Sequence, residues 1–115
     1  MINPAVLAVA VAFWASHGRA VNGCVHLRID PSLRPPVLGE AALHGCEVEL
    51  APQLFPARSR RARNQLCLTV IHEAGHTLGL KHTRRGVMAP RQSQVGYVPR
   101  VCLQLQAEAG HLAVI

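Results

Sequence analysis

"HEAGHTLGLKH", residues 72–82, places three histidines and one glutamate in eleven positions, with a glycine where a helix would have to end. On an α-helix, residues four apart lie about 40° apart in projection and about 6 Å apart along the axis, so His72 and His76 aim their rings at one point. Glu73, swung about 100° around the same helix, stands beside a shared ion without binding it, the position of a general base. Gly79 can take positive φ and let the chain leave the helix sharply, so that His82, three residues on, returns to the same ion as a third ligand. From the chain's own composition, these five fixed positions would coincide by chance with a probability on the order of one in ten thousand. Structural zinc sites normally close with four protein ligands, whereas three histidines leave one position for water; the pattern therefore points to a catalytic Zn2+ ion.

Outward from this stretch, proline and glycine are absent from Ser59 to Ala74, and Leu66, Val70, Ile71, Ala74 and Leu78 recur at helical spacing. The longest helix is predicted here, from about Ser59 to Leu78. Two segments upstream alternate apolar and polar residues with period two: "CVHLRID" (24–30), with Val25, Leu27 and Ile29 inward, and "CEVEL" (46–50), with Cys46, Val48 and Leu50 inward. Between them, residues 31–39 carry three prolines and a glycine and read as a loop. If the two strands are neighbours, outward His26 and Arg28 meet Glu47 and Glu49, a cross-strand charge match of roughly 0.2–1 kcal/mol per pair. The same parity turns Cys24 outward and Cys46 inward, so a bridge between them requires a bulge or a frayed strand end.

Residues 5–17 are Ala-rich and read as a helix ending near Gly18. Their apolar core has the length of a signal-peptide h-region and is too short to span a bilayer; the absence of a preceding Lys or Arg favours a packed helix. Downstream, residues 83–100 are irregular, with Gly86, Pro90, Gly96 and Pro99, and "VCLQLQAEA" (101–109) forms a short closing helix. No repeat or linker divides the chain. One α+β domain over residues 1–115 is expected, with a small mixed sheet packed on an N-terminal helix and a long active-site helix.

Twelve Lys plus Arg against six Asp plus Glu give a net charge of +6, concentrated in "ARSRRAR" (57–63) and at Arg84 and Arg85. No aromatic residues are interleaved to stack on bases, so a solvated basic face is the reading and no nucleic-acid partner is expected. Four cysteines (Cys24, Cys46, Cys67, Cys102) allow two disulfides in three connectivities, or serve as small buried residues. None forms a C-x-x-C pair, which argues against a cysteine zinc site. His17, His26, His44 and His111 lack a spacing partner and are assigned no ligand role.

Residues 72–82 resemble the H-E-x-x-H-x-x-G-x-x-H signature of metzincin metallopeptidases. Within that clan the chain is most similar to the matrixins: Gly75 precedes the second histidine, "LGL" surrounds Gly79, Thr83 follows His82, and "VMAP" (87–90) resembles the Met-turn. The strong likeness covers residues 66–90; weaker likeness extends over residues 5–51, through the Trp14 helix and the Gly-x-Ala segment in "GEAALHGCEVELAP". The resemblance implies a small zincin-like domain, Met88 as a hydrophobic floor beneath the metal, and a peptide bound extended along an edge strand, for which Cys46–Leu50 is the candidate. It also implies a secreted or extracytoplasmic protein, although no convincing signal peptide is present; a monomer is expected.

The sequence departs from the family in three respects. One aspartate, Asp30, is too few for the calcium and structural zinc sites of many matrixins, the interval of six residues from His82 to Met88 is short, and the chain starts at the first helix, so that either the sheet is pared down or the sequence is a truncated version. The function implied is zinc-dependent endopeptidase activity with Glu73 as general base, His72, His76 and His82 as ligands, and Gly79 and Met88 supporting the site. The alternatives are a noncatalytic zinc-binding module with a basic partner-binding face, or a basic nucleic-acid-binding protein with an incidental metal site.

Overall fold

A computed structural model describes residues 2–107. Helix α1 spans Pro4–Ser16; its first turn is capped by the Asn3 side chain, which accepts from the Ala5 N–H at 2.9 Å, with Pro4 at the first helical position. The helix buries Val6, Val9, Ala10, Phe13 and Trp14, so the apolar run at residues 5–15 is folded into the core. Helix α2, Arg60–Thr77, begins at Ser59, whose hydroxyl accepts from the Ala62 N–H at 3.0 Å. That cap offsets the unfavourable placement of arginines at a helix N-terminus. The two helices pack together through Val6, Val9, Leu66, Val70, Ile71 and Ala74, and the predicted bounds of both agree with the observed ones to within two residues.

Three short strands form a mixed sheet in the order β1–β3–β2: β1 is His26–Ile29, β2 is Gly39–Ala41 and β3 is Glu47–Leu50. β1 and β3 are parallel, with His26 opposite Glu47 and Arg28 opposite Glu49. The predicted charge match forms across this pair: His26 Nε2 lies 3.2 Å from Glu47 Oε2, and the Arg28 guanidinium donates to Glu49 at 3.0 Å. Val48 and Leu50 are fully buried on the opposite face.

One expectation is corrected by the topology. Cys46–Leu50 is not an edge strand, because β3 is hydrogen-bonded on both sides, to β1 and to β2. The tight turn at Ala42–Gly45, with His44 at φ 61°, folds Gly39–Ala41 back antiparallel onto the open side of β3. The edge facing the long helix is therefore β2, in a segment whose prolines read as loop.

Both disulfides form: Cys24–Cys46 and Cys67–Cys102. Cys24 and Cys46 lie just ahead of β1 and β3, outside the paired region, which removes the parity conflict; Cys46 is exposed, not inward. Cys67 and Cys102 are buried and tie α2 to the final turns, a 3-10 turn at Arg100–Cys102 followed by helix α3, Leu103–Ala107. The last part of the predicted closing helix, and His111, lie outside the described residues. Among the described residues, no helix is long and apolar enough to cross a membrane. In outline, an N-terminal helix, a small mixed sheet, a long histidine-bearing helix and a short C-terminal helix match a zincin-like layout.

Candidate metal centre

His72 and His76 project from the last turns of α2, and His82 returns to them after the chain turns at Gly79, where φ is +86°. The Nε2 atom of His72 lies 3.1 Å from that of His76 and 3.2 Å from that of His82. The candidate ligand atoms of all three rings fall within 4.8 Å of one another. His72 and His76 are half-buried and His82 is exposed.

The other ring nitrogens show which protonation state the site uses. His72 Nδ1 lies 2.8 Å from the Val87 carbonyl oxygen and His76 Nδ1 lies 2.7 Å from that of Leu80. A carbonyl only accepts, so each Nδ1 carries a proton, and the neutral form of each ring then has its lone pair at Nε2, facing the other rings. Two such lone pairs facing each other at 3.1 Å have no proton to share; a cation between them resolves the conflict. Tetrahedral zinc with Zn–N bonds of about 2.0–2.1 Å requires nitrogens about 3.3 Å apart, close to the spacing found. Burial, together with the neighbouring imidazoles, holds the His72 pKa below its ordinary value and so favours the neutral, metal-binding form. By donor type, tautomer and spacing, the three residues fit a divalent ion such as Zn2+.

Glu73 is 7% exposed and lines the same cleft as the three histidines. Burial, with the Glu40 carboxylate as a smaller contributor, pushes its pKa up to about 8. A cation held by the three histidines would act in the opposite direction and favour the carboxylate. Strand β2 lies directly on this residue: a Cβ built at Gly39 would stand 2.9 Å from Glu73 Cγ and 2.9 Å from Thr69 Cγ2, so only glycine allows the approach. The cleft, of 670 Å3, runs between β2 and the segment after Met88, with α2 as its floor. Gln92 ties that segment to the floor, donating to the Thr69 hydroxyl at 2.9 Å and to the Gln65 carbonyl at 3.2 Å.

Two glycines of the motif have distinct steric roles. A Cβ at Gly75 would run into Met88 Sδ and stand 2.9 Å from Trp14 Cζ2; Met88 is buried against the helix at this point. At Gly79 the space beside Cα is filled by the imidazole of His44, whose backbone N–H donates to the His76 carbonyl at 3.1 Å. The segment that carries Met88 is closed by the Thr83 N–H donating to the Met88 carbonyl at 3.0 Å, and it presents the Val87 carbonyl to His72.

All four predicted site residues line this cleft. Of the histidines set aside in the sequence, His17 stacks on Phe13 with ring centroids 4.3 Å apart and contacts the Phe13 carbonyl oxygen, His26 pairs with Glu47, and His44 packs beside the site on Gly79. Sequence reasoning missed the packing of His44 on Gly79, the Gly39 approach to Glu73 and the Trp14 indole donating to the Ile71 carbonyl at 2.9 Å. The Gly39-x-Ala41 spacing was the one available signal; the Trp14 bond spans 57 residues and leaves no local trace. Comparison with protein-family models, curated proteins and solved structures returns no match, and the centre is defined by its own geometry as a His72–Glu73–x–x–His76 and His82 cluster able to chelate a divalent ion.

Proposed function

We propose that this chain is a zinc-dependent endopeptidase of the matrixin-like metzincin type, built as one domain over residues 1–115. The observation that carries the reading is the pair of imidazoles locked as Nδ1–H tautomers, whose Nε2 atoms meet that of His82 in a cleft also lined by Glu73. His72, His76 and His82 would hold the ion, and Met88, packed under Gly75, would form the apolar floor beneath it. A bound zinc ion supplies Lewis-acid polarisation of a scissile carbonyl and an acidified water. Glu73 takes the proton of the attacking water and passes it to the leaving amine. The Val87 and Leu80 carbonyls keep two ligand rings in the tautomer that metal binding needs and fix their orientation. The peptide adds in extended form along the free edge of β2, where main-chain groups are unpaired on one side, and not along β3.

Two disulfides in so short a chain support a secreted or extracytoplasmic location. The test is cleavage of casein and of a mixed peptide library, mapped by mass spectrometry, with and without a chelator, for the parent and for Glu73→Ala. Chelator-sensitive cleavage lost in Glu73→Ala, with stoichiometric zinc retained, is the expected result. Parent protein that binds zinc but cleaves nothing would make the chain a noncatalytic zinc module.

A further inference from the structure

A second hollow adjoins the cleft on the far side of His82. It has a volume of 770 Å3 and shares His82, Pro90 and Val95 with the cleft, so a chain leaving one enters the other. Arg84, Arg85, Thr83 and Gln94 line it, and no acidic residue does. The two arginines are carried on a backbone held by its own hydrogen bonds. The Thr83 hydroxyl donates to the Arg85 carbonyl at 2.7 Å, and the Thr83 N–H to the Met88 carbonyl and the Ala89 N–H to the Gly86 carbonyl, both at 3.0 Å.

Among the described residues neither arginine has an ion-pair partner. The ion pairs lie on the β1–β3 face, where Asp30, Glu47 and Glu49 engage Arg28 and His26. Two arginines lining one concavity that has no acidic residue give it a positive potential, and the planar guanidinium fork matches a carboxylate. With the cleft read as a peptide site, on which this step rests, we infer that the hollow is a subsite for the carboxylate side chain of an Asp or Glu in the substrate, making acidic peptides the preferred class.

Binding separates this inference from catalysis. The probe is a fluorescent neutral decapeptide in which Glu is scanned through each position, measured by anisotropy against full-length, zinc-loaded Glu73→Gln protein. Glu at one or two adjacent positions should tighten binding about fivefold, as expected for two partly exposed charge pairs, and added salt should erase the gain. Arg84→Gln with Arg85→Gln should abolish the preference. Arg58→Gln with Arg61→Gln, which removes equal charge from exposed positions at the other end of α2, should preserve it. A gain spread evenly over all positions, its loss in the Arg58/Arg61 variant, its absence, or tighter binding of a single-stranded oligonucleotide to the same arginines would overturn the inference. If the parent cleaves no peptide yet keeps the position-specific preference, the endopeptidase reading falls and the acidic subsite stands.

Discussion

Gly75→Ala distinguishes two accounts of why glycine lies between the two helix histidines. On helix propensity alone alanine is better in a helix interior, by about 1 kcal/mol. The structure opposes that gain. The added methyl would run into the Met88 thioether on one side and stand 2.9 Å from Trp14 Cζ2 on the other. Met88 alone could swing away, but Trp14 is fixed: its indole N–H donates to the Ile71 carbonyl at 2.9 Å, and its ring packs edge-on against Phe13 with centroids 5.0 Å apart. Overpacking of a buried contact costs about 1–3 kcal/mol, so the net expectation is a loss of up to about 2 kcal/mol. The damage should also reach the metal, because displacing Met88 moves its neighbour Val87, whose carbonyl orients His72 at 2.8 Å. Loss of such an orienting partner weakens metal binding by about tenfold or more. Urea unfolding of the metal-free protein gives the first quantity and zinc competition against a chromophoric chelator the second. A Gly75→Ala protein that is as stable as the parent and binds zinc equally well would refute the wedge argument.

Glu73→Ala should lower peptide hydrolysis by about 10²–10⁴-fold, the usual worth of a general base, while zinc content measured by elemental analysis stays at one per chain. Gly79→Ala places a Cβ at φ +86° and against the His44 ring; a cost of about 1–2 kcal/mol in urea unfolding is expected, together with weaker zinc binding, since the turn delivers His82. Replacing both Cys67 and Cys102 by alanine opens a loop of 35 residues, and the chain-entropy model predicts a loss of up to about 4 kcal/mol, readable as a lower urea midpoint. At acid pH, protonated Glu49, with the Ser32 hydroxyl and N–H, donates to Asp30 and depresses its pKa from 3.8 to about 2. A depressed carboxylate stabilises the fold above its unfolded pKa and loses that contribution as the pH falls through the folded value. The stability difference between parent and Asp30→Asn should therefore shrink as the pH drops from about 4 towards 2, and a constant difference would contradict this account.

The parts of the molecule governed by short-range periodicity were legible. Helix α2 could be bounded from Ser59 and from the recurrence of Leu66, Val70, Ile71 and Ala74, because cap, burial stripe and terminating glycine all agree. The β1 and β3 strands followed from alternation; their pairing was only a condition in the sequence, and the structure meets it, with His26 and Arg28 opposite Glu47 and Glu49. The convergence of His72, His76 and His82 followed from helix geometry and one turn. Strand β2 was not legible: three residues are too few to show a period, and its pairing depends on a turn closed by His44, a residue type that gives no turn signal at positive φ. The partner carbonyls at Val87 and Leu80 were equally hidden, since backbone acceptors carry no residue identity.

The order of the strands has a wider consequence. β1 and β3 are direct neighbours in the sheet, so the polypeptide between them, which contains β2, is an excursion that starts and returns on adjacent strands, with the Cys24–Cys46 bridge closing its base. Its residues furnish one whole side of the cleft while contributing little to the interior. Ahead of β2, residues 31–37 of this excursion can be lengthened, shortened or replaced with the helices and the paired strands left intact, and selectivity can drift there without a matching change in the scaffold.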